Sequence, residues 1–340
     1  AGKLVVHDSY FEGNTASRSA IRMSGTDEIE IRRNTFCDNN STSTSGGGAL
    51  SMSGAGVGGT YPITNNCFVR NGSTVSGSQA GAIYLSATVG TFSITNNTFL
   101  ENAADGNGQS IDSNGATTVN VNNVFAYTSG GFSVDYDNVI SGHTFAYNSW
   151  WTNAGGHARD SAGSLDSGLN STNVVVDPKL SSYTAGDTSS TFCADMEAWP
   201  GVNSPLINKG DPTIFDNPPT NTDRSDIGYT GGPEADPDLR DADGDGYAAA
   251  SDCDDTNNAI YPGATEACNG VDDNCDGNVD EGGIGGATWY LDGDNDGFAA
   301  IDAVAIDSCL EPSDGRDYSQ VNTDCDDSTA LRAPNLTEVC

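Results

Sequence analysis

The sequence predicts an all-β fold: a solenoid of stacked repeats, followed by a small, irregular tail rich in calcium loops and disulfides. Two observations predict the solenoid. Short motifs recur every 25 to 32 residues along the first 150 residues, and the stretches between them alternate polar and apolar side chains. A third observation predicts the tail: beyond residue 234, aspartates stand at alternate positions, and six of the nine cysteines lie there.

Two motifs carry the repeat. The first places an asparagine three residues after an aromatic residue, and its clean copies FEGN, FCDN, FVRN and FLEN begin at Phe11, Phe36, Phe68 and Phe99. The second reads SAIRMS, GALSMS and GAIYLS, with a weaker copy, QSIDSN, and these begin at Ser19, Gly48, Gly81 and Gln109. The two motifs alternate along the chain. A period in this range is typical of a solenoid whose repeats each contact only their neighbours.

The stretches between the motifs have the period of two that a half-buried strand shows. Glu28 to Arg32 alternates polar and apolar residues, and Phe92 to Thr95 and Val119 to Asn122 do the same at the matching place. Stacking at a strand spacing of about 4.8 Å would align equivalent Ile and Phe side chains inside the solenoid. The asparagines just before each aromatic residue would pair their amides along the stack; they are Asn34, Asn66, Asn97 and Asn123.

The alternating motifs resemble the right-handed parallel β-helix repeats of polymorphic outer-membrane and autotransporter-like surface proteins. The resemblance covers residues 1–153 and implies a right-handed parallel β-helix. Residues 154–233 contain VVVDPKL, SPLINKGDP and DRSDIGYTGGP, which resemble strings that close β-helices of secreted bacterial proteins. An open solenoid end exposes apolar side chains and unpaired strand edges, so we expect this second segment to cap it. Residues 234–340 form the third predicted domain.

Charge excludes some partners. Residues 234–340 hold 27 acidic and 3 basic side chains, a net charge of -24, against -11 for the first 233 residues. Such a surface repels nucleic acid and anionic membranes, and its natural partner is a cation. No apolar run approaches the length of a membrane span, so we expect no membrane insertion of this segment. Nine cysteines indicate an oxidising compartment. Both ends fall inside repeats, so we expect a piece of a longer chain.

The stretch DADGDGYAAASDCDD begins the tail and has the ligand order of a calcium loop. Asp241, Asp243 and Asp245 alternate before a glycine, Tyr247 would offer its backbone carbonyl, and Asp252 would close the loop. The flanking residues are rich in Pro and Gly or too short for a helix. The pattern therefore predicts a calcium loop without the helices of an EF-hand.

Two further loops follow the same logic. The first is CNGVDDNCDGNVDEG, and its predicted ligands are Asp272, Asn274, Asp276, Asp280 and Glu281. The second is split: DGDNDGF supplies Asp292, Asp294, Asp296 and Phe298, and after an insertion at residues 299–323 its closing half supplies Asp324, Asp326 and Asp327. By the same matching, Asp254 and Asp255 join the first loop.

The assembled string closely resembles the MopE-type metal-binding repeat of secreted bacterial proteins, with one full copy and a second cut short in residues 241–340. The family name carries an association with copper, which this sequence does not support: no His follows His157 and no Met follows Met196. Hard carboxylate oxygens select calcium over soft-ligand metals, and magnesium prefers fewer protein ligands. We expect several structural Ca²⁺ ions; the alternative is a tail that binds no specific ion.

Cysteine spacing suggests the disulfides. Fifteen residues separate Cys253 from Cys268 and also Cys325 from Cys340, which predicts two equivalent bridges, Cys253–Cys268 and Cys325–Cys340. Cys275–Cys309 would then join the two repeats; a Cys268–Cys275 bridge is the rival. In the solenoid, Cys37–Cys67 would link adjacent repeats if the chain bends, because the two positions are offset by two residues. Cys193 has no evident partner.

These features predict a secreted or cell-surface structural or adhesive protein of a bacterium, not an enzyme, that can self-associate into fibres and contact a glycan or another surface ligand. One alternative is a calcium-dependent polysaccharide lyase or hydrolase, whose basic residue would come from Arg22, Arg32, Arg33 or Arg70. Another is a carbohydrate-binding adhesin that stacks sugars on His143, Tyr147, Trp150 and Trp151. The purely structural interpretation is that the arginines form charge pairs and the aromatic residues fill the last repeat.

Overall fold

A computed structural model describes the chain at residues 3–25, 28–53, 59–73, 75–86, 90–106, 108–137, 142–166, 169–181, 183–187, 193, 198, 200–201, 203–216, 224–235, 243, 245, 247, 249–281 and 285–328. The chain divides into two compact units, residues 1–240 and residues 241–340. The elements defined among the described residues are all β-strands, which confirms the predicted all-β class. The predicted three-part division at residues 153 and 233 stays a prediction.

Four sheets build the first unit, and nearly all of their strands are parallel. The first sheet contains Lys3–His7, Glu28–Arg32, Thr60–Thr64, Thr91–Thr95, Thr117–Val121 and Thr144–Ala146. The second contains Tyr10–Glu12, Thr35–Cys37, Cys67–Val69, Thr98–Leu100, Val124–Ala126, Ser149–Trp151 and Val174–Val175. The third contains Thr15–Ala16, Asn40–Ser41, Gly72–Ser73 and Ala103–Ala104. The fourth contains Ile21–Ser24, Leu50–Ser53, Ile83–Ser86, Ile111–Ser113, Val134–Tyr136, Ala158–Asp160 and Gly163–Ser164, the last of which is antiparallel.

Each strand pairs with the equivalent strand of the next repeat, so like residues stack. Phe36 lies in register between Phe11 and Phe68, and the stack continues through Phe99 and Phe125 to Trp150. Neighbouring ring centroids are 4.5 to 5.0 Å apart along this aromatic stack. The predicted internal ladder of aromatic residues is confirmed.

The predicted asparagine ladder is also present. The Nδ2 atom of Asn34 donates to Oδ1 of Asn66 at 2.9 Å, and the same bond joins Asn66 to Asn97 and Asn97 to Asn123 at 3.0 and 3.1 Å. Two further members, Asn148 and Asn173, extend it. Sequence analysis missed a second ladder, built from the asparagines of the FxxN motif: Asn14, Asn39, Asn71 and Asn102.

The residue before most ladder asparagines has a left-handed backbone, which turns the chain between sheets. Before the first ladder these residues are Arg33, Asn65, Asn96, Asn122 and Tyr147, with φ between 50° and 57°. Asparagine tolerates this region better than most residues. Two of these residues also bind the segment near residue 230 through their side chains. Asn65 Nδ2 donates to the carbonyl of Tyr229 at 2.8 Å, and Asn96 Nδ2 donates to that of Asp226 at 3.0 Å.

The predicted capping role of residues 154–233 stays a prediction. Asn65, Asn96 and Asn122 of three successive repeats bond to Asp211, Asp226, Tyr229 and Gly231, so these four residues lie along the side of the sheets. Leu165 and Leu169, which belong to this segment, pack against the core, and Val175 of the same segment lies in register with Trp150. A polar chain can follow the corner asparagines because their amides offer a donor and an acceptor at every repeat.

The predicted Cys37–Cys67 bridge is wrong. Strand register places Cys67 beside Thr35 and Cys37 beside Val69, and no bend brings the two sulfurs together. Cys37 is bonded to Cys193, which sequence analysis left without a partner, and Cys67 is a buried free thiol. Burial raises the pKa of that thiol far above its usual range.

The second unit holds one described sheet, which is antiparallel. It contains Ala287–Leu291 in the centre, flanked by Ile306–Ser308 and Tyr318–Ser319. The insertion at residues 299–323 supplies both outer strands. In the described part of this unit, the buried apolar residues are Ile260, Ala299 and Tyr318.

Candidate metal centres of the acidic unit

The first candidate centre brings together Asp243, Asp245 and Asp252. One carboxylate oxygen from each lies within 4.8 Å of the other two. Local hydrogen bonds shape the loop, because the N–H of Asp245 donates to Asp243 Oδ1 at 3.2 Å and the N–H of Tyr247 donates to Asp245 Oδ1 at 2.8 Å. Asp241 lies outside the described residues.

Two oxygens of this centre are buried without a hydrogen-bond donor. They are Oδ2 of Asp245 and Oδ2 of Asp252, and the latter residue is only 9% exposed. Burial raises the pKa of Asp245, and the neighbouring charges of Asp243 and Asp252 add to the effect. A buried carboxylate oxygen without a donor is costly unless a positive charge meets it, so this donor set fits a metal ion.

The second candidate centre joins two segments that are distant in sequence. Asp292, Asp294 and Asp327 each place a carboxylate oxygen within 4.8 Å of the others. Asp292 also fixes the loop, because its Oδ1 and Oδ2 accept the N–H groups of Asn295 and Gly297 at 2.7 and 2.8 Å. The predicted assembly of this loop from DGDNDGF and a later DCDD segment agrees with this geometry.

The insertion leaves the two halves in contact. Ala300 and Asp324 form a parallel bridge, in which the N–H of Asp324 donates to the carbonyl of Ala299 at 3.0 Å and the N–H of Ile301 donates to that of Asp324 at 2.9 Å. The inserted residues 302–323 therefore do not separate the two acidic segments in space. Phe298 uses its N–H to bind Asp296 Oδ1 at 3.0 Å.

Unsatisfied oxygens are more numerous at the second centre. Both carboxylate oxygens of Asp294, and Oδ2 of Asp296 and of Asp324, are buried without a hydrogen-bond partner. Burial first, and then the charges of Asp296 and Asp292, raise the pKa of Asp294. Burial likewise raises the pKa of Asp327, although the N–H of Gly293 bonded to it opposes the shift. This centre also fits a cation.

The middle loop uses its acidic groups differently. Asp272 accepts the N–H groups of Asp276 and Gly277 at 3.2 and 2.8 Å, and Asp280 Oδ1 accepts those of Asn269 and Gly270 at 3.0 Å. These oxygens already hold the backbone. The remaining predicted ligands contact one another: Asn274 Nδ2 donates to Glu281 Oε1 at 2.6 Å, which leaves Glu281 Oε2 buried without a donor.

Two further predicted ligands accept hydrogen bonds from hydroxyl groups two residues away. Asp254 Oδ1 accepts the hydroxyl of Thr256 at 2.6 Å, and Asp326 accepts the hydroxyl of Ser328. Asp255, which directly follows Asp254, is half-buried. The predicted ligand roles of these three side chains stay predictions.

Sequence analysis missed two buried acids that organise the middle loop. Glu266 is 4% exposed, and its two oxygens accept the N–H groups of Asn274 and Asp280 at 2.8 and 3.1 Å. Asp273 is 5% exposed and accepts the N–H of Ala267 at 2.9 Å. Recurrence of a TE dipeptide in PGATEAC and APNLTEVC could have indicated the role of Glu266.

Two predicted disulfides of this unit are wrong. The bridges are Cys253–Cys275 and Cys268–Cys309. The N–H groups of Tyr261 and Gly263 donate to the carbonyls of Asp273 and Asn274, which brings the turn at residues 272–275 rather than Cys268 to Cys253. Cys325 is disulfide-bonded, and its predicted partner Cys340 lies outside the described residues.

Of the four basic residues considered for catalysis, three form ion pairs. Arg33 binds Asp8 of the previous repeat, with Nε 2.5 Å from Oδ1, and Arg70 pairs with Asp38. Arg32 lies 2.7 Å from the carboxylate of Glu234, and Arg22 is exposed. These contacts match the interpretation of charge pairs between neighbouring elements.

Of the four aromatic residues considered for sugar stacking, Trp150 is internal, and His143, Tyr147 and Trp151 are half-buried. Trp150 is fully buried at the end of the aromatic stack, so it is not a surface platform, while Trp151 is half-buried. His143 stacks on Tyr136 with ring centroids 3.6 Å apart. None of the described residues forms a helix long and apolar enough to cross a membrane.

Comparison with known proteins supports a metal-binding role for part of the acidic unit. A family model named for copper-binding MopE, and described as a "Putative metal-binding motif", matches residues 252–281 and 324–340. No curated protein and no solved structure matches the chain significantly. The matched residues include Asp252, Asp324 and Asp327 of the two candidate centres. Disulfides together with this motif point to a metal-binding protein outside the cytoplasm.

Proposed function

We propose that the chain is a secreted, calcium-stabilised structural or adhesive protein of a bacterial cell surface, and that it is not an enzyme. One observation carries the proposal: buried carboxylate oxygens converge without donors in a unit that buries few apolar side chains. Asp245, Asp252 and Asp294 supply such oxygens. A unit of this kind needs another source of stability, and bound cations and disulfides are the usual ones.

Calcium suits the donor set better than other metals. Residues 241–340 contain neither histidine nor methionine, so nitrogen and thioether ligands for copper are lacking in the sequence. Calcium accepts six to eight oxygen ligands, whereas magnesium keeps much of its water. Asp243, Asp245 and Asp252 would hold one ion, and a second group would hold another: Asp292, Asp294, Asp296, Asp324 and Asp327. A bound ion would supply the positive charge that lets these carboxylates stay ionised side by side.

The parallel sheets of the first unit support a right-handed parallel β-helix as the scaffold. Every repeat adds one strand to the first two sheets in the same order, and equivalent residues stack, which is the arrangement of a solenoid. Stacked repeats also present strand edges that can pair with another chain, so we include self-association into fibres in the proposal.

Calcium would hold a shape here rather than report a signal. Sensor proteins convert ion binding into the movement of a helix pair. The described residues around Asp252 form turns instead, and the Cys253–Cys275 disulfide ties the loop to its neighbour. Such a crosslink opposes a large rearrangement.

Hydrogen–deuterium exchange tests the proposal on the intact chain, with saturating calcium and with EDTA. We expect calcium to slow exchange throughout residues 249–328 and to leave the parallel sheets unchanged. Asp294→Asn should remove most of that protection around residues 292–327. Its matched control, Asp314→Asn, changes an exposed carboxylate that is paired with Arg316 outside the centres. Equal exchange with and without calcium would refute the structural role of the ion.

Light scattering tests self-association separately. We expect particles larger than one chain whose amount rises with protein concentration. Only monomers, both with and without calcium, would remove fibre formation from the proposal while leaving calcium binding untouched.

A further inference from the structure

We propose that the parallel-sheet unit carries its own site for a hard divalent cation, calcium, formed by Asp112, Asp135 and Asp137. This site is independent of the acidic unit and lies outside the residues matched by the metal-binding motif. It would link two successive repeats of the scaffold.

Strand register brings the three carboxylates together. The strands Ile111–Ser113 and Val134–Tyr136 are parallel neighbours, and Asp112 lies directly beside Asp135. Side chains alternate along a strand, so the buried Ile111 and Val134 face the core while both aspartates face the opposite side. Asp137 follows Asp135 by two positions. One carboxylate oxygen from each of the three lies within 4.8 Å of the others.

Asp112 is the group that points to a ligand. Its side chain is 0% exposed, and both of its carboxylate oxygens lack a hydrogen-bond partner in the structure. Other buried aspartates, such as Asp273, accept N–H groups of the backbone. A carboxylate that is removed from water without donors and beside two more carboxylates needs a counter-charge.

Arg159 satisfies one of the three carboxylates. Its Nε and Nη2 lie 3.0 and 2.8 Å from Oδ1 and Oδ2 of Asp135, in a bidentate pair. Gln79 Nε2 donates to Asp137 Oδ2 at 3.3 Å. Three ionised carboxylates and one guanidinium leave two negative charges, which matches a divalent cation. Each carboxylate oxygen has two lone pairs, so those already bonded can still bind a metal.

A cleft gives the ion a route from solvent. A cavity of about 410 Å³ borders the cluster and is lined by Asp135, Asp137, Arg159 and Asp160, among others. Calcium completes its coordination with water when the protein supplies few oxygens, and a cleft of this size holds several waters. Because every protein ligand atom at this site is a carboxylate oxygen, the site favours calcium over a metal that prefers soft ligands.

Crystals of the intact chain grown with terbium, a luminescent calcium substitute with strong anomalous scattering, test the site directly. We expect an anomalous peak between Asp112, Asp135 and Asp137. The centres at Asp245 and Asp294 serve as internal references. Peaks there without one at Asp112 would overturn this inference alone, and the reverse pattern would overturn the role of the acidic unit alone.

Titration calorimetry gives a second test in solution. Asp112→Asn should bind one calcium ion fewer per chain than the wild type, whereas Asp177→Asn, which changes an exposed carboxylate elsewhere in the unit, should bind the full number. In EDTA, the Asp112→Asn variant should unfold at a temperature no lower than the wild type, since it removes a buried repulsion. If that variant fails to fold, Asp137→Asn, at a half-buried position, replaces it. Unchanged stoichiometry in a folded variant would mean that a proton, and not a cation, satisfies Asp112.

Discussion

The parallel-sheet unit and the acidic unit are stabilised by opposite means. The first stacks aromatic rings and asparagine amides in its interior, and Phe36, Phe68, Phe99 and Phe125 are all 0% exposed. The second leaves several of its larger apolar side chains exposed to solvent, with Val304 81% and Leu310 59% exposed. Carboxylates make up most of its buried side chains among the described residues, and the cysteines of its two described disulfides are exposed or half-buried. Repetition lets one unit gain stability from each added copy, whereas we propose that the other depends on bound cations.

The largest expected effect is in the aromatic stack. Phe99→Ala removes a ring that lies 4.8 Å from Phe68 and 4.9 Å from Phe125, and we expect it to lower the free energy of unfolding of the parallel-sheet unit by about 3 to 5 kcal/mol. Urea denaturation followed by circular dichroism measures the change. The control Val304→Ala, at an exposed position of the acidic unit, should stay within about 0.5 kcal/mol. Comparable losses for both changes would mean that the two units share one mode of stabilisation.

The next largest effect concerns the disulfides of the acidic unit. Replacing Cys268 and Cys309 together with Ser opens a crosslink across 41 residues, which chain entropy values at about 4 kcal/mol. We expect this variant to lose protection in residues 249–328 unless calcium is present in large excess. Exchange measured by mass spectrometry follows it. The matched change of Cys37 and Cys193 to Ser should leave the strands folded, because their core persists; loss of the sheets would contradict the comparison.

A smaller effect is expected in the asparagine ladder. Asn97 Oδ1 accepts the N–H and the amide of Asn66, and its Nδ2 donates to the carbonyl of Ile63. Asn97→Ala leaves these buried groups without partners, and we expect a loss of about 2 to 3 kcal/mol. Thermal unfolding measures it. Asn203→Ala, at an exposed turn, is the control, and equal shifts in the two variants would show that the ladder contributes nothing beyond a turn.

The smallest effect depends on pH. Burial lowers the pKa of His143 to about 4, an effect that Asp160 partly opposes. The unfolded chain therefore binds a proton more readily between pH 6.5 and pH 4, and stability present above pH 6.5 should fall as the pH drops through this window. His143→Phe should flatten that part of the stability profile of the parallel-sheet unit. An unchanged slope from pH 6.5 to pH 4, measured in calcium-free buffer, would place the titration elsewhere.

Periodic contacts could be predicted from the sequence, and contacts without a period could not. Stacking of Phe36 on Phe68 and pairing of Asn34 with Asn66 follow from recurrence alone, because equivalent positions in a stack must meet. Cysteine pairing failed for the opposite reason. Equal spacing of Cys253 and Cys268 says nothing about which turn lies against which, and hydrogen bonds between Tyr261 and Asp273 decide it.

The candidate centres show the same limit. Alternating aspartates mark a calcium loop directly, so Asp243 and Asp245 could be proposed from local sequence. The cluster at Asp112 depends on neighbours from another repeat. Its signal was present, since IDS and VDY align with an aspartate at the same strand position, but it emerges only once the register of Asp112 with Asp135 is known.

The first asparagine ladder has a consequence for how such a chain can change in length. Its amide bonds span 32, 31, 26 and 25 residues of sequence, yet their lengths stay between 2.9 and 3.1 Å. Each asparagine therefore corresponds to one repeat, and the distance along the stack depends on the number of repeats rather than on the number of residues. Loops between successive ladder asparagines can change in length or sequence without altering the spacing of the repeats. The length of the stack is thus set by the number of asparagines in the ladder, while the chain between them can vary in length and sequence.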